Sequence, residues 1–213
     1  MIRMSDIDEF LPEMRTFCPQ VPAPLAHRFI REAARQFCRT TRIWRSQDTI
    51  TVTTPAAEGL LTIADAEIFE IERADFGDQR LEAVTVHHLD TDRPNWRNEV
   101  LDDDAVGSPT FITQLYPDTV TVVPKKTGTI TAYFILIPAR KALTLPEILL
   151  SQHAETIGRG AAAKALETPG QEYTNPQLAL KLDADFMAKM GTEKVLAAKN
   201  VTRGKLRTRG SYF

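Results

Sequence analysis

The chain has 213 residues, 43% of them hydrophobic and 25% charged, ordinary proportions for a globular protein. Such values exclude a disordered, collagenous or coiled-coil chain. With 26 basic against 28 acidic residues the formal net charge is -2, which excludes a basic nucleic-acid coat.

Met1-Ile2-Arg3-Met4-Ser5-Asp6 offers no apolar signal core. No stretch approaches the roughly 20 apolar residues of a membrane helix, so no membrane role is expected. Ser5 with Asp8 reads as the capped start of a short helix, which Pro12 interrupts. Cys18-Pro19 to Pro24 reads as a stiff turn. A longer helix follows, with Leu25, Phe29, Ala33, Phe37, Thr41 and Trp44 on its apolar face and Arg28, Arg31, Glu32, Arg35 and Arg39 on the other. At ~1.5 Å rise per residue this helix carries Cys38 beyond the ~7 Å reach of a disulfide to Cys18. Free thiols are expected, in keeping with a reducing cytosol.

From Asp48 to Pro138 the period changes to two. Thr49–Thr53, Leu60–Ile63, Leu81–Leu89 and Thr119–Val123 are β-type runs, and Ala66–Ala74 alternates less cleanly. Lys125-Lys126-Thr127-Gly128 predicts a hairpin turn joining Thr119–Val123 to Thr129–Ile137. The polar stretch Asp90–Ser108, with Asp102-Asp103-Asp104, is expected to be an exposed loop. Helical periodicity then returns. Thr144-Leu145-Pro146-Glu147 matches a capping box, Leu145, Ile148, Leu149, Ile157, Ala161 and Leu166 form a stripe, and Pro169-Gly170 ends it. A last helix starts near Thr174-Asn175-Pro176 and turns Leu178, Leu182, Phe186 and Met190 inward.

This order predicts an α+β fold: a helical bundle built from the N- and C-terminal segments, an inserted antiparallel β module, and an extended basic tail. The expected divisions are 1–47 (N-terminal helices), 48–138 (β module), 139–200 (C-terminal helices) and 201–213 (tail).

Motifs for chemistry are weak. Gly158-Arg159-Gly160-Ala161-Ala162-Ala163 fits G-x-G-x-x-A, but a helix and not a strand leads into it, so close helix packing is the better reading. His87 and His88 are adjacent on an expected strand and point to opposite faces, unsuited to one metal. Asp102–Asp104 opens like a calcium loop, yet Val106 and Thr113 occupy positions that need other ligands. No catalytic, cofactor or metal residue is expected, and hence no enzyme. The C-terminal region says more: Lys194, Lys199, Arg203, Lys205, Arg207 and Arg209 stand against Glu193 alone, with Tyr212 and Phe213 as aromatic anchors. A solvated terminus, phosphate contact and docking on an acidic protein all fit that composition.

The layout resembles the head-tail adaptor (connector) proteins of tailed bacteriophages, of the podophage type. The matching strings are Phe10-Leu11-Pro12, Cys18-Pro19, Phe29 to Cys38, Trp44, Leu145 to Leu150, Ile157 to Ala161 and, most specifically, Pro169-Gly170-Gln171-Glu172-Tyr173-Thr174-Asn175-Pro176. The resemblance implies a structural virion protein of the neck, assembled in the host cytoplasm. It implies a homo-oligomeric ring, typically of twelve copies, between portal and tail, through which genomic DNA passes during ejection without sequence-specific binding. Expected partners are therefore the portal protein, a tail tube or nozzle protein and further copies of the chain. The resemblance assigns portal docking to Lys199, Arg203, Lys205, Arg207, Arg209, Tyr212 and Phe213. Arg28, Arg31, Arg35 and Arg39 would face a neighbouring subunit, the DNA channel or solvent. The alternative function is a small nucleic-acid-binding protein that uses the basic C-terminal tail.

Overall fold

The computed structural model describes residues 3–53, 58–101 and 107–199. Its elements run β1 (Met4–Asp6), a 3-10 turn (Ile7–Phe10), α1 (Leu11–Arg15), α2 (Ala23–Thr41), β2 (Arg45–Val52), β3 (Gly59–Leu60), β4 (Ala66–Phe76) and β5 (Gln79–Ala83). There follow α3 (Val86–Asp92), β6 (Phe111–Thr113), β7 (Thr119–Val123), β8 (Gly128–Pro138), β9 (Thr144–Pro146), α4 (Glu147–Leu166) and α5 (Pro176–Lys199). Two compact units divide the chain, residues 1–43 with 143–213 and residues 44–142.

In the helical unit the first cap is Asp6, one residue after the expected Ser5. Its carboxylate accepts from the Asp8 N–H at 2.9 Å while Glu9 accepts from the Asp6 N–H at 3.1 Å. Pro12 lies in the first turn of α1, where a missing N–H costs nothing, so it opens that helix instead of breaking one. The face of α2 formed by Ala26, Phe29, Ile30, Ala33, Ala34, Phe37, Cys38 and Thr41 is buried, leaving Leu25 partly exposed. Residues 144–146 are extended and pair antiparallel with β1, so the capping box expected at Thr144 does not form. The first turn of α4 is held instead by the Glu147 N–H donating to the Arg3 carbonyl at 2.9 Å.

Helix α4 is the centre of this unit, buried at Leu149, His153, Ile157, Gly158, Gly160–Ala163, Ala165 and Leu166. Its glycines let neighbours in. A Cβ on Gly158 would stand 2.6 Å from Glu13 Cβ in α1, and one on Gly160 would stand 2.9 Å from the Phe186 ring in α5. The glycine string is thus a packing device. Gly170, at φ +74°, follows the end of α4. Asn175 opens α5 by accepting the Leu178 N–H at 3.2 Å, and α5 runs through Gly191 to Lys199 with Ala179, Leu182, Phe186 and Met190 buried.

The second unit holds a seven-stranded sheet in the order β2-β8-β4-β5-β6-β7-β3. Its two end strands approach each other. Gly59 on β3 lies against Ile50 on β2, where a Cβ would come within 2.7 Å of the Ile50 side chain. Asp48 on β2 accepts from the Thr62 N–H at 2.7 Å and from the Thr62 hydroxyl, joining the seam through a buried carboxylate. The sheet therefore curls almost into a barrel, with Ile50, Val52, Ala74, Leu81, Ile112, Val120, Val122, Ile130, Ala132 and Phe134 buried.

A helical bundle carrying an antiparallel insert is therefore not the fold. The nearly closed sheet dominates, and it includes a parallel pair, β5 with β6, registered Glu82 to Phe111 and Ala83 to Ile112. Parallel strands need a long crossover, and α3 lies within it, where the sequence read as strand and loop. The expected hairpin is absent too. β7 pairs with β6 and β3, while β8 pairs with β2 and β4. The backbone of Lys125 is taken up by Glu99 and Leu101, through bonds of 2.9 and 2.8 Å, so the turn residues close no hairpin. Period two identifies strands but not their partners.

Nor is 90–108 simply an exposed loop. Trp96 is fully buried with Leu89 and Val123. Its indole N–H donates to Asp90 at 2.8 Å, while Arg97 grips the same carboxylate and stacks 4.5 Å over the indole. Arg97, and next Trp96, hold the Asp90 carboxyl below the usual carboxylate range. Asp102, Asp103 and Asp104 lie outside the described residues.

Candidate interaction surfaces

Arg28, Arg31, Arg35 and Arg39 are brought together on one face of α2, because spacings of three and four return to the same side of a helix. Arg28 and Arg39 are exposed, and Arg31 and Arg35 are half-buried. Arg28 pairs with Glu32 at 2.9 Å, and the other three are engaged as well. Lys199 is the last residue of α5. Its side chain and the residues Arg203, Lys205, Arg207, Arg209, Tyr212 and Phe213 lie outside the described part of the chain.

His87 and His88 are on α3, not on a strand, and His88 Nδ1 sits 3.2 Å from Asp92 one turn on. His27 meets Asp8 at 2.6 Å. His153 is buried 4.9 Å from the Phe37 ring, and its pKa is held below the ordinary 6.5 by burial, partly countered by Glu193. Cys18 and Cys38 are free and buried, with thiol pKa values pushed up to about 11 and about 12 by burial. Among the described residues no three His, Cys, Asp or Glu side chains are grouped to hold a metal. No described helix is long and apolar enough to cross a membrane.

One surface escaped the sequence reading. The turn Gln114–Asp118 between β6 and β7 is tied to β4 and to the residue after β3, through the Ile68 N–H to the Pro117 carbonyl at 2.7 Å and the Leu61 N–H to the Asp118 carbonyl at 2.9 Å. The Gln114 amide adds bonds to the carbonyls of Ile68 and Tyr116. On this fixed platform Tyr116 is 60% and Leu115 41% exposed, beside Leu60 and Phe69 on the adjoining strands. Pro117-Asp118 was a legible turn signal. Which strands it would lie against was not.

What the described geometry offers is surface: an arginine face on a helix, and an exposed aromatic turn clamped to a curled sheet. The family model of the SU10 adaptor proteins matches residues 5–209. The chain belongs to that family of phage adaptors, which makes it a structural component of the virion neck, in contact with other virion proteins. No curated protein matches the chain.

Proposed function

We propose that this adaptor forms a homo-oligomeric ring between the portal and the tail and that the ring lines the route by which DNA leaves the head. The family match over residues 5–209 carries this reading. Ring closure needs one heterologous contact repeated by each copy, and the chain's net charge of -2 lets copies approach without strong mutual repulsion. Lys199, Arg203, Lys205, Arg207, Arg209, Tyr212 and Phe213 dock on the portal, and repetition around the ring turns a modest contact into a firm one. The arginine face of α2 meets a neighbouring copy or the DNA channel. Structure and catalysis are separate matters here: the proposed role is mechanical and needs no reacting group.

Electron cryomicroscopy of the full chain mixed with its portal tests this. A ring with residues 199–213 seated on portal is expected. Chains that stay monomeric and ignore portal would overturn the reading. Unchanged portal affinity after truncation at Thr202 would remove the role of the tail while leaving the ring.

A further inference from the structure

We infer that an uncharged apolar stripe on the outer face of α5 seats on the portal, in a groove that continues from the place where residues 199–213 bind. This rests on the portal-docking reading above and adds a preformed helix to that contact.

Helix α5 is apolar on two sides. Ala179, Leu182, Phe186 and Met190 are buried. Leu180, Ala184, Met187, Ala188, Gly191 and Val195 are all exposed, and 3.6 residues per turn sets them on the opposite side of the helix. Lys181, Asp183, Asp185, Lys189 and Lys194 fall to either side, so no charge lies in the stripe. Helix α2 shows the ordinary arrangement, one buried face with Arg28 and Arg39 exposed opposite it. On α5, Leu180 is 74% and Val195 54% exposed, and the Gln36 amide of α2 reaches the border of the stripe at Met187 Sδ, 3.8 Å away. At ~1.5 Å rise per residue the stripe runs about 22 Å along the helix. Apolar residues at steps of three and four on an open helix face are the anchors of a helix that lies in a groove.

The chain beyond α5 says which partner covers it. The helix ends at Lys199, and residues 199–213 are the segment that docks on the portal. Val195 stands four residues before Lys199, about 6 Å along the helix axis. A portal that holds that segment therefore has the end of the stripe against it. Size points the same way. A protein contact of standard size takes about 20–30 residues a side. The 15 residues from 199 to 213 fall short of that range, and the six of the stripe bring the contact into it. Because α5 is already a helix, its stripe adds area without an ordering cost. Stripe against stripe would instead join two copies and stop, whereas a ring repeats a heterologous contact. The portal groove then has an apolar floor under α5 and carboxylates beyond its end, where Arg203, Lys205, Arg207 and Arg209 arrive.

Binding of the full chain to immobilised portal, at low and high ionic strength, tests the contact. Val195→Ser and Gly191→Lys should each weaken it about fivefold or more, since one removes an apolar anchor and the other puts a charged side chain into the groove. Gly191→Lys is the sharper variant. Nothing lies within 4 Å of an added Cβ there, so the fold accepts it, and its positive charge would strengthen a purely electrostatic attraction to carboxylates. The loss from Val195→Ser should persist at high salt, because screening acts on charges and not on apolar contact. If the wild type binds portal and both variants bind equally well, the stripe is not part of the contact, and portal docking by residues 199–213 stands. A wild type that does not bind portal overturns that docking and this inference together. Sedimentation velocity without portal separates the remaining case: if the wild type self-associates and both variants lose that association, the stripe lies between copies and the inference is wrong.

Discussion

The same substitution should have opposite effects at two glycines of the helical unit. Alanine favours a helix over glycine by about 1 kcal/mol. At Gly191, exposed on α5 with nothing within 4 Å of an added Cβ, that gain is unopposed, and Gly191→Ala should stabilise by about 0.5–1 kcal/mol. At Gly158 the Cβ would meet Glu13 Cβ at 2.6 Å, Glu13 C at 2.9 Å and Met14 N at 3.1 Å. Two of these are backbone atoms, and carbons prefer separations of about 3.5–4 Å. α1 would have to shift by most of an ångström, at a cost of about 1–3 kcal/mol that outweighs the helical gain. Gly160→Ala should fall between the two, since the Phe186 ring it meets is a side chain. Urea unfolding followed by circular dichroism at 222 nm ranks the three variants. Equal shifts at Gly158 and Gly191, or stabilisation at both, would refute the account of α4 as a helix packed through its glycines.

Three further outcomes are expected. Asp48→Ala leaves the N–H groups of Thr49 and Thr62 and the Thr62 hydroxyl without their acceptor. It should lower stability by about 1–3 kcal/mol. Fluorescence reads this, because Trp44 and Trp96 both lie in the sheet unit, and an unchanged urea midpoint would contradict the seam. His153 prefers to be neutral when folded, so its contribution is complete above pH 6.5 and is lost as pH falls through the lowered folded value. Urea midpoints should drop over that acidic window and His153→Leu should flatten the drop; a midpoint that rises on acidification would reverse the sign. Arg97→Ala removes the main cause of the low Asp90 pKa, so carboxyl titration by NMR should move up toward 3.8, and no movement would discount the pairing.

Much of the helical unit was legible because a helix advertises its own period. The heavy faces of α2 and α5, the stop at Pro169-Gly170 and the packing role of Gly158 and Gly160 each follow from local spacing and small residues. Bringing Arg28, Arg31, Arg35 and Arg39 to one face needs nothing beyond 3.6 residues per turn. The errors lie where one segment's state depends on a distant partner. Thr144 to Pro146 carries a cap signature, but β1 offers a strand to pair with, and a backbone ladder displaced the side-chain cap. His87 and His88 follow the β-branched run Val84-Thr85-Val86, which reads as strand, yet Thr85 caps a helix there.

Alternation in residues 48–138 determined that strands exist. Only the tertiary structure decided that β7 leaves β8 for β6 and β3, that β5 and β6 run parallel, and that the sheet curls until Asp48 reaches Thr62. The physical reason is that a strand's side chains alternate whatever its neighbour is, whereas its hydrogen bonds are satisfied only by chain that may lie tens of residues away. For the same reason composition and order sufficed for the resemblance to a phage adaptor, while the exposed Leu115-Tyr116 turn came into view only once Ile68 and Leu61 were seen to hold it.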